Sequence, residues 1–307
     1  MKKISFVAHG LHLNKYKLEH EAEKYFSKDY EVIFKATKSS REAEELAEEA
    51  ILEGTDYLIA VGGDGTMHEV VNGVMRVQKE KRKDLIVGLL PVGSGNDFAR
   101  TMKLSKNISD LQALIDRHSP RKIDIGKLEF KSMKGEDTLR YFINITDVGL
   151  GAEVAKKVNE GHKTYGPNIS FFAATINTFL SYQRKKIKVT SDNFNWSGNV
   201  LILCLANAKY FGSGLCIAPS AKVDDGKIAV TLAGEVSLFD YLKNLSRIRK
   251  GLQIQHPGVL YSEVENCLIE PIGKECLIEA DGEMIGKIPL KVNILKDEIN
   301  FLVGDIS

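Results

Sequence analysis

Three short stretches of this chain combine glycines with carboxylates or hydroxyls in a way that suits phosphate chemistry. In the first, the apolar run Leu58 to Val61 ends abruptly in Gly62-Gly63-Asp64-Gly65-Thr66. Glycines let backbone N–H groups approach an anion without a Cβ in the way, and a helix starting there adds partial positive charge. Asp64 inside such a nest would repel a phosphate unless a divalent cation bridged them, so the turn implies magnesium as well as nucleotide. In the second stretch the apolar run Ile86 to Val92 leads into Gly93-Ser94-Gly95-Asn96-Asp97, where the Asn-Asp pair could cap the next helix. Phosphoryl transfer then needs a base for the acceptor hydroxyl, and Ala280-Asp281-Gly282-Glu283 offers one on a strand end. The competing readings are an ordinary glycine-rich strand-to-helix turn and a surface hairpin.

The elements that must position these residues read as follows. Ile4 to Ala8 and Tyr30 to Ala36 pattern as strands. Helical spacing follows in Leu18, Ala22, Tyr25 and Phe26, and again in Ala43, Leu46, Ala47, Ala50 and Ile51, the second helix opened by a capping box at Ser39-Ser40-Arg41-Glu42. After the central turn, Met67, Val70, Val71 and Val74 recur at helical spacing. The order βαβαβα predicts a doubly wound parallel sheet with both glycine turns facing one crevice. The charge run Lys79 to Asp84 reads as a solvated loop.

From about Arg121 the texture changes to short strands: Ile123 to Leu128, Arg140 to Ile145, Ile187 to Val189, Val200 to Ala206, Lys227 to Leu232 and Leu277 to Ala280. Their density predicts a separate β-rich domain of sandwich type. The fold class is therefore α/β, an N-terminal nucleotide-binding domain over residues 1–121 and a β-sandwich domain over 122–289. Two helices interrupt the strands: one with an apolar face of Ile169, Phe171, Phe172, Ile176, Phe179 and Leu180, and one from Leu238 to Lys250. The latter carries Lys243, Arg247, Arg249 and Lys250 with no acid among them, fitting either a solvated face or an anionic membrane.

At 307 residues two cores are expected, and the hydrophobic fraction of 43% and charged fraction of 27% are those of an ordinary globular chain. A net charge of +1 gives no general pull toward nucleic acid or membrane. The 4 cysteines show no C-x-x-C spacing and read as buried thiols in a reducing compartment. Neither a signal peptide nor a run near the ~18 apolar residues of a membrane span is found, so a cytoplasmic protein is expected.

Gly62-Gly63-Asp64-Gly65-Thr66 followed by Gly93-Ser94-Gly95-Asn96-Asp97-Phe98-Ala99-Arg100 resembles the bacterial diacylglycerol kinase family, relatives of the sphingosine kinases. The first motif alone is shared with NAD kinases and, loosely, phosphofructokinases; the pair is much more specific. The resemblance implies an ATP- and Mg2+-dependent lipid kinase, a transferase of phospholipid metabolism passing the γ-phosphate to a lipid hydroxyl, most plausibly from diacylglycerol to phosphatidate. It implies that Thr37, Gly62, Gly63, Asp64, Gly65, Thr66, Met67, His68 and Ser94 contact the nucleotide. Asp64 and Asp97 would organise the catalytic magnesium, and Glu283 would be the general base. Phe211 to Ile228 resembles the loop that holds a structural magnesium, with Asp225 and the carbonyls of Lys222 and Lys227 as ligands; a simple Asp-Gly hairpin is the other reading. The resemblance also implies that residues from about 290–307 return to the first domain, that the lipid is met at a membrane surface such as the inner membrane face, and that a homodimer is compatible.

The first turn departs from the family: Ala8-His9-Gly10 stands where Asn-Pro and Ser-Gly-Lys are usual, with Asn14 or Lys15 as possible substitutes. Gly151 stands where an aspartate is common, and Gly149-x-Gly151 lacks the third glycine of a dinucleotide fingerprint. His9 and His12 without a third ligand make a weak metal motif. Walker and protein-kinase signatures are absent. The rival readings are an NAD kinase-like small-molecule kinase and a catalytically silent lipid-binding regulatory protein.

Overall fold

A computed structural model describes residues 1–10, 15–39, 41–118, 120–160 and 167–304. It divides into two compact units, Met1–Ile123 with Asp297–Ser307, and Asp124–Lys296.

The first unit alternates strands and helices: β1 (Lys2–Ala8), α1 (Lys15–Phe26), β2 (Tyr30–Ala36), α2 (Glu42–Leu52), β3 (Tyr57–Gly62), α3 (Asp64–Arg76), α4 (Lys79–Arg82), β4 (Ile86–Pro91), α5 (Asp97–Thr101) and α6 (Ile108–Arg117). The strands run parallel in the order β2-β1-β3-β4, and Asn300 and Phe301 near the chain end add a parallel partner to Ile86 and Val87 of β4. Every residue of β3 and β4 is buried, as strands covered on both faces must be. One face packs Ile4, Phe6, Tyr57 and Ile59 against Phe26 of α1 and Leu111 and Ile115 of α6. Strand order reverses between β1 and β3, the switch point at which such sheets bind ligands beyond their carboxyl ends.

Helix α2 is not opened by the expected capping box. Arg41 at its N-cap is left-handed, with φ 67°, and makes no side-chain cap. Glu69 of α3 accepts the N–H groups of Arg41 and Ala43 at 3.1 Å each, while Glu42 accepts those of Lys38 at 2.5 Å and Ser39 at 2.9 Å. Ser40 lies outside the described residues. Nor is the charge run at 79–84 wholly solvated. Arg82 is buried, donating to the carbonyl of Val77 at 3.0 Å and to both the carbonyl and carboxylate of Glu298 at 2.7 Å. A guanidinium with this many charge-assisted partners can be buried; a solvated lysine could not replace it.

The second unit is β-rich: β5 (Arg121–Lys131), of which the first three residues count with the first unit, β6 (Asp137–Phe142), β7 (Ile145–Gly149), α7 (Leu150–Glu160), α8 (Pro167–Ser181), β8 (Lys185–Thr190), β9 (Asn195–Val200), β10 (Ile202–Ala206), β11 (Tyr210–Phe211), β12 (Leu215–Cys216), β13 (Ile228–Ala233), α9 (Leu238–Arg249), β14 (Val259–Val264), β15 (Asn266–Pro271), β16 (Leu277–Ala280) and β17 (Glu283–Phe301), whose residues from Asp297 on count with the first unit. One layer runs β14-β13-β10-β7-β16-β17. The long β17 also pairs with β15 and β5, which lead to β8-β9 and β6. Between the layers lies one apolar core that includes Phe142, Val148, Leu203, Ile228, Ile269 and Leu290. Among the described residues no helix is long and apolar enough to cross a membrane.

Candidate active site

Both glycine turns of the first unit occur at carboxyl ends of adjacent parallel strands, with Gly62 paired to Pro91. They touch. A Cβ on Gly93 would collide with the Cα of Gly63 and come within 2.8 Å of its nitrogen, so neither position has room for a side chain without displacement. The N–H groups of Val92 and Gly93 both donate to the carbonyl of Gly62, at 3.0 and 3.1 Å. Asp64 completes the junction: its carboxylate accepts the N–H of Asp97 at 3.1 Å and of Phe98 at 3.0 Å. The first turn thus caps α5, and the expected cap by Asn96 is absent. Asn96 instead takes a left-handed conformation, φ 53°, and donates its amide to the carbonyls of Gly93 at 2.7 Å and Pro91 at 3.3 Å. Its buried Oδ1 has no hydrogen-bond partner among the described residues.

Around this junction Ser94 is exposed, Gly63, Asp64 and Gly65 are half-buried, and Gly62, Thr66 and Asp97 are buried. Thr37 is also buried; its hydroxyl accepts the N–H of Gly10 at 3.1 Å, and its own N–H goes to the carbonyl of Ala8 at 2.9 Å. Asn14 lies outside the described residues, as does the side chain of Lys15. Met67 is fully buried with its N–H on the carbonyl of Gly63 at 3.1 Å, and His68 is buried beside Asn72, whose amide reaches its carbonyl at 2.9 Å. Both side chains belong to the buried stretch of α3.

In the second unit, Glu283 begins β17 directly after a tight turn, Asp281 with φ 50° and Gly282 with φ 97°. It is half-buried. The turn is held from two sides. Asp281 is buried and accepts three N–H groups, those of Ile143, Asn144 and Ile145, each at 3.0 Å. Glu279 accepts the N–H of Gly282. Beside it in register stands Asp147, with Cys204 on the far side. Asp147 and Glu279 are both buried and hydrogen-bonded to each other, and Asp147 also accepts the N–H of Ala152 at 3.1 Å. Burial pushes the Asp147 carboxyl up to about 6, and burial together with the neighbouring Asp147 pushes Glu279 well above the usual carboxylate range. At neutral pH the pair holds a proton. Gly151 packs on Asp147 so closely that a Cβ would collide with the carboxylate. This acidic pair gave no signal in the sequence; its members are far apart in the chain and each is flanked by ordinary strand residues.

The loop at 222–227 belongs to the same unit. Asp225 is half-buried and its Oδ1 accepts the N–H of Lys227 at 3.0 Å; the neighbouring N–H of Gly226 goes to the buried Asp124 at 2.6 Å. Lys227 extends outward to Glu263 at 2.9 Å. Among the described residues no group of three or more His, Cys, Asp or Glu side chains could enclose a metal. Magnesium does not require one, since it usually keeps several waters and takes one or two carboxylates with phosphate oxygens. The side chains around the junction offer oxygens of the hard kind it prefers, among them the Asp64 carboxylate and Asn96 Oδ1, which has no partner among the described residues and lies against Gly63 and Gly93.

A separate apolar cavity of about 100 Å³ opens under α8 and α9, lined by Leu150, Phe171, Phe179, Thr231, Tyr241 and Ile248 among others. Phe179 and Tyr241 stack across it at 6.1 Å.

A paired-turn nucleotide fold with an acid at a separate strand end matches known proteins along most of the chain. A family model for the diacylglycerol kinase catalytic domain matches residues 10–128, and one for the YegS C-terminal NAD kinase beta sandwich-like domain matches residues 144–303. A diacylglycerol kinase of Staphylococcus haemolyticus is 28% identical over 271 residues, covering 88% of this chain and 78% of that protein. One of Staphylococcus aureus strain Newman is 28% identical over 279 residues, covering 90% and 84%. A crystal structure of a diacylglycerol kinase from Bacillus anthracis shares the fold at TM-score 0.72 and 16% identity, over 99% of this chain and 97% of that one. The yeast NADH kinase complexed with NADH shares it more distantly, at TM-score 0.51 and 11% identity, over 98% and 82%. The protein is therefore an enzyme of the lipid kinase class. The chain belongs to the diacylglycerol kinase family, with the YegS-type C-terminal domain.

Proposed function

We propose that this enzyme transfers the γ-phosphate of ATP to the free hydroxyl of diacylglycerol, giving phosphatidate. The observation that carries this reading is the junction of the two glycine turns, where Gly63 and Gly93 meet and Asp64 caps α5. Such a junction presents backbone and hydroxyl donors at strand ends and needs no side chain that attacks phosphorus, which is how phosphoryl transfer is served: by positioning and by neutralising charge.

In this reading Gly62, Gly63, Gly65, Thr66 and Ser94 cradle the phosphates and Thr37 lies toward the nucleotide. Asp64 and Asp97 would hold the catalytic magnesium, and Asp225 with the carbonyls of Lys222 and Lys227 a structural one. Bound magnesium would neutralise charge on the phosphate oxygens. Glu283 would accept the proton of the lipid hydroxyl, held at its strand end by the anchored Asp281–Gly282 turn. The apolar cavity under α8 and α9 suits an acyl chain. A cytoplasmic enzyme acting at the inner membrane face fits this scheme.

The test is transfer of labelled γ-phosphate from Mg-ATP to diacylglycerol, other lipid alcohols, sphingosine and NAD. Labelled phosphatidate supports the reading. Label in NAD alone would make the protein a small-molecule kinase, and ATP binding without any product would favour a regulatory role.

A further inference from the structure

Helix α9 has two unlike faces. Its inward face, Asp240, Tyr241, Asn244 and Ile248, lines the apolar cavity. At 100° per residue the opposite face carries Phe239, Leu242, Lys243, Ser246, Arg249 and Lys250. All six are exposed, and Phe239 is 73% exposed. Lys243, Arg249 and Lys250 form no ion pair among the described residues, and Arg247 beside them reaches only the carbonyl of Gln253, at 3.1 Å. The acid of this helix, Asp240, is turned to Ser237 of its own capping box and to His256 at 3.6 Å. On α8, which packs against α9 through the Phe179–Tyr241 stack, Phe172 and Leu180 are exposed as well.

A solvated face accounts for the cations and leaves the exposed phenylalanine and leucine among them unexplained. Large apolar side chains set among unpaired cations are the pattern of a helix lying in a bilayer interface, where the rings enter the acyl boundary and the cations meet lipid phosphates. We propose that the outward face of α9 docks on an anionic lipid bilayer, with Phe239 and Leu242 inserting and Lys243, Arg249 and Lys250 meeting anionic headgroups. The commitment to an anionic bilayer rests on charge complementarity: the face carries the cations Lys243, Arg249 and Lys250 and no acid. The proposal rests on the lipid-kinase reading only for its purpose; the binding itself is independent of catalysis.

The full-length enzyme is floated with vesicles of phosphatidylglycerol and phosphatidylcholine, and with phosphatidylcholine alone. Each basic residue near an anionic surface is worth roughly fivefold in affinity. Lys243→Gln with Arg249→Gln should therefore weaken binding to the anionic vesicles about thirtyfold. Phe239→Ser should weaken it roughly tenfold with the salt dependence unchanged. Both variants should phosphorylate a short-chain substrate in detergent at the unmodified rate, which separates docking from the active site. Flotation without lipid phosphorylation would defeat the kinase reading and leave docking standing. Phosphorylation in detergent with no flotation, or flotation unchanged in both variants, overturns the proposal. A concentration-dependent dimer lost in Phe239→Ser would reassign the face to a second copy of the chain and overturn it too.

Discussion

Gly63 and Gly93 meet backbone to backbone, the Cα of one standing where a Cβ of the other would be. Two separate strand ends are thereby fused into one rigid junction, and its geometry depends on the missing side chains more than on any that are present.

Gly93→Ala must push the turns apart. Overpacking of this kind costs about 1–3 kcal/mol. The expected result is a lower Tm together with loss of the stabilisation that Mg-ATP gives the unmodified enzyme, read by thermal denaturation with and without nucleotide. A normal nucleotide-induced rise in Tm would show that the junction is not where the phosphates sit.

Asp64 serves both as the cap of α5 and as a proposed magnesium ligand, and the two roles separate by substitution. Asp64→Ala should abolish transfer and also cost about 0.5–2 kcal/mol, the range for loss of a helix cap. Asp64→Asn keeps an acceptor oxygen for only one of the two N–H groups, those of Asp97 and Phe98, so it should recover part of the stability while transfer stays lost. Full activity in Asp64→Asn would remove the carboxylate from the metal site.

The Asp147–Glu279 pair makes stability fall with rising pH. Both carboxyls have raised values in the folded state, so their favourable contribution is complete below the ordinary carboxylate range and is lost as pH rises through about 6 for Asp147 and higher for Glu279. Asp147→Asn removes the charge that must otherwise be buried. It should flatten the Tm profile above pH 6 and raise Tm in that range by a few degrees, roughly what 1 kcal/mol gives a chain of this size. An unchanged slope would mean that the pair does not share a proton.

Glu298 neutralises the buried Arg82 and also pairs with Lys79 at 2.7 Å. Its own carboxyl lies below the ordinary range, the two cations together outweighing burial, which by itself would raise it. Glu298→Gln would leave the guanidinium buried without a counter-charge, at about 3–5 kcal/mol. Urea denaturation of the variant measures this directly, and a loss under 1 kcal/mol would mean that Arg82 escapes to solvent.

The parallel sheet and both glycine turns were legible in the sequence because each announces itself locally: an apolar run, an abrupt glycine turn, then helical spacing. What escaped depends on partners distant in the chain. Arg82 looks like one more cation in a charge run until Glu298 stands beside it. The cap of α2 comes from Glu69, whereas the local Ser-Ser-Arg-Glu pattern pointed to the segment itself. The burial of the Met67 and His68 side chains on α3 follows from the packing of that helix and is not visible in the motif they follow. Asp147 and Glu279 read as unremarkable strand residues, because adjacency across β7 and β16 is set by register and no spacing within either strand records it.

The central claim is that Glu283 takes the proton from a lipid hydroxyl while the paired turns hold the phosphates. Transfer of labelled γ-phosphate to diacylglycerol, measured for the unmodified enzyme and for Glu283→Gln alongside Mg-ATP binding, tests it most directly. The account predicts labelled phosphatidate from the unmodified enzyme, and in the variant a loss of transfer of at least about a hundredfold with ATP binding intact, the low end of what a general base contributes. Transfer by Glu283→Gln at the unmodified rate would contradict it.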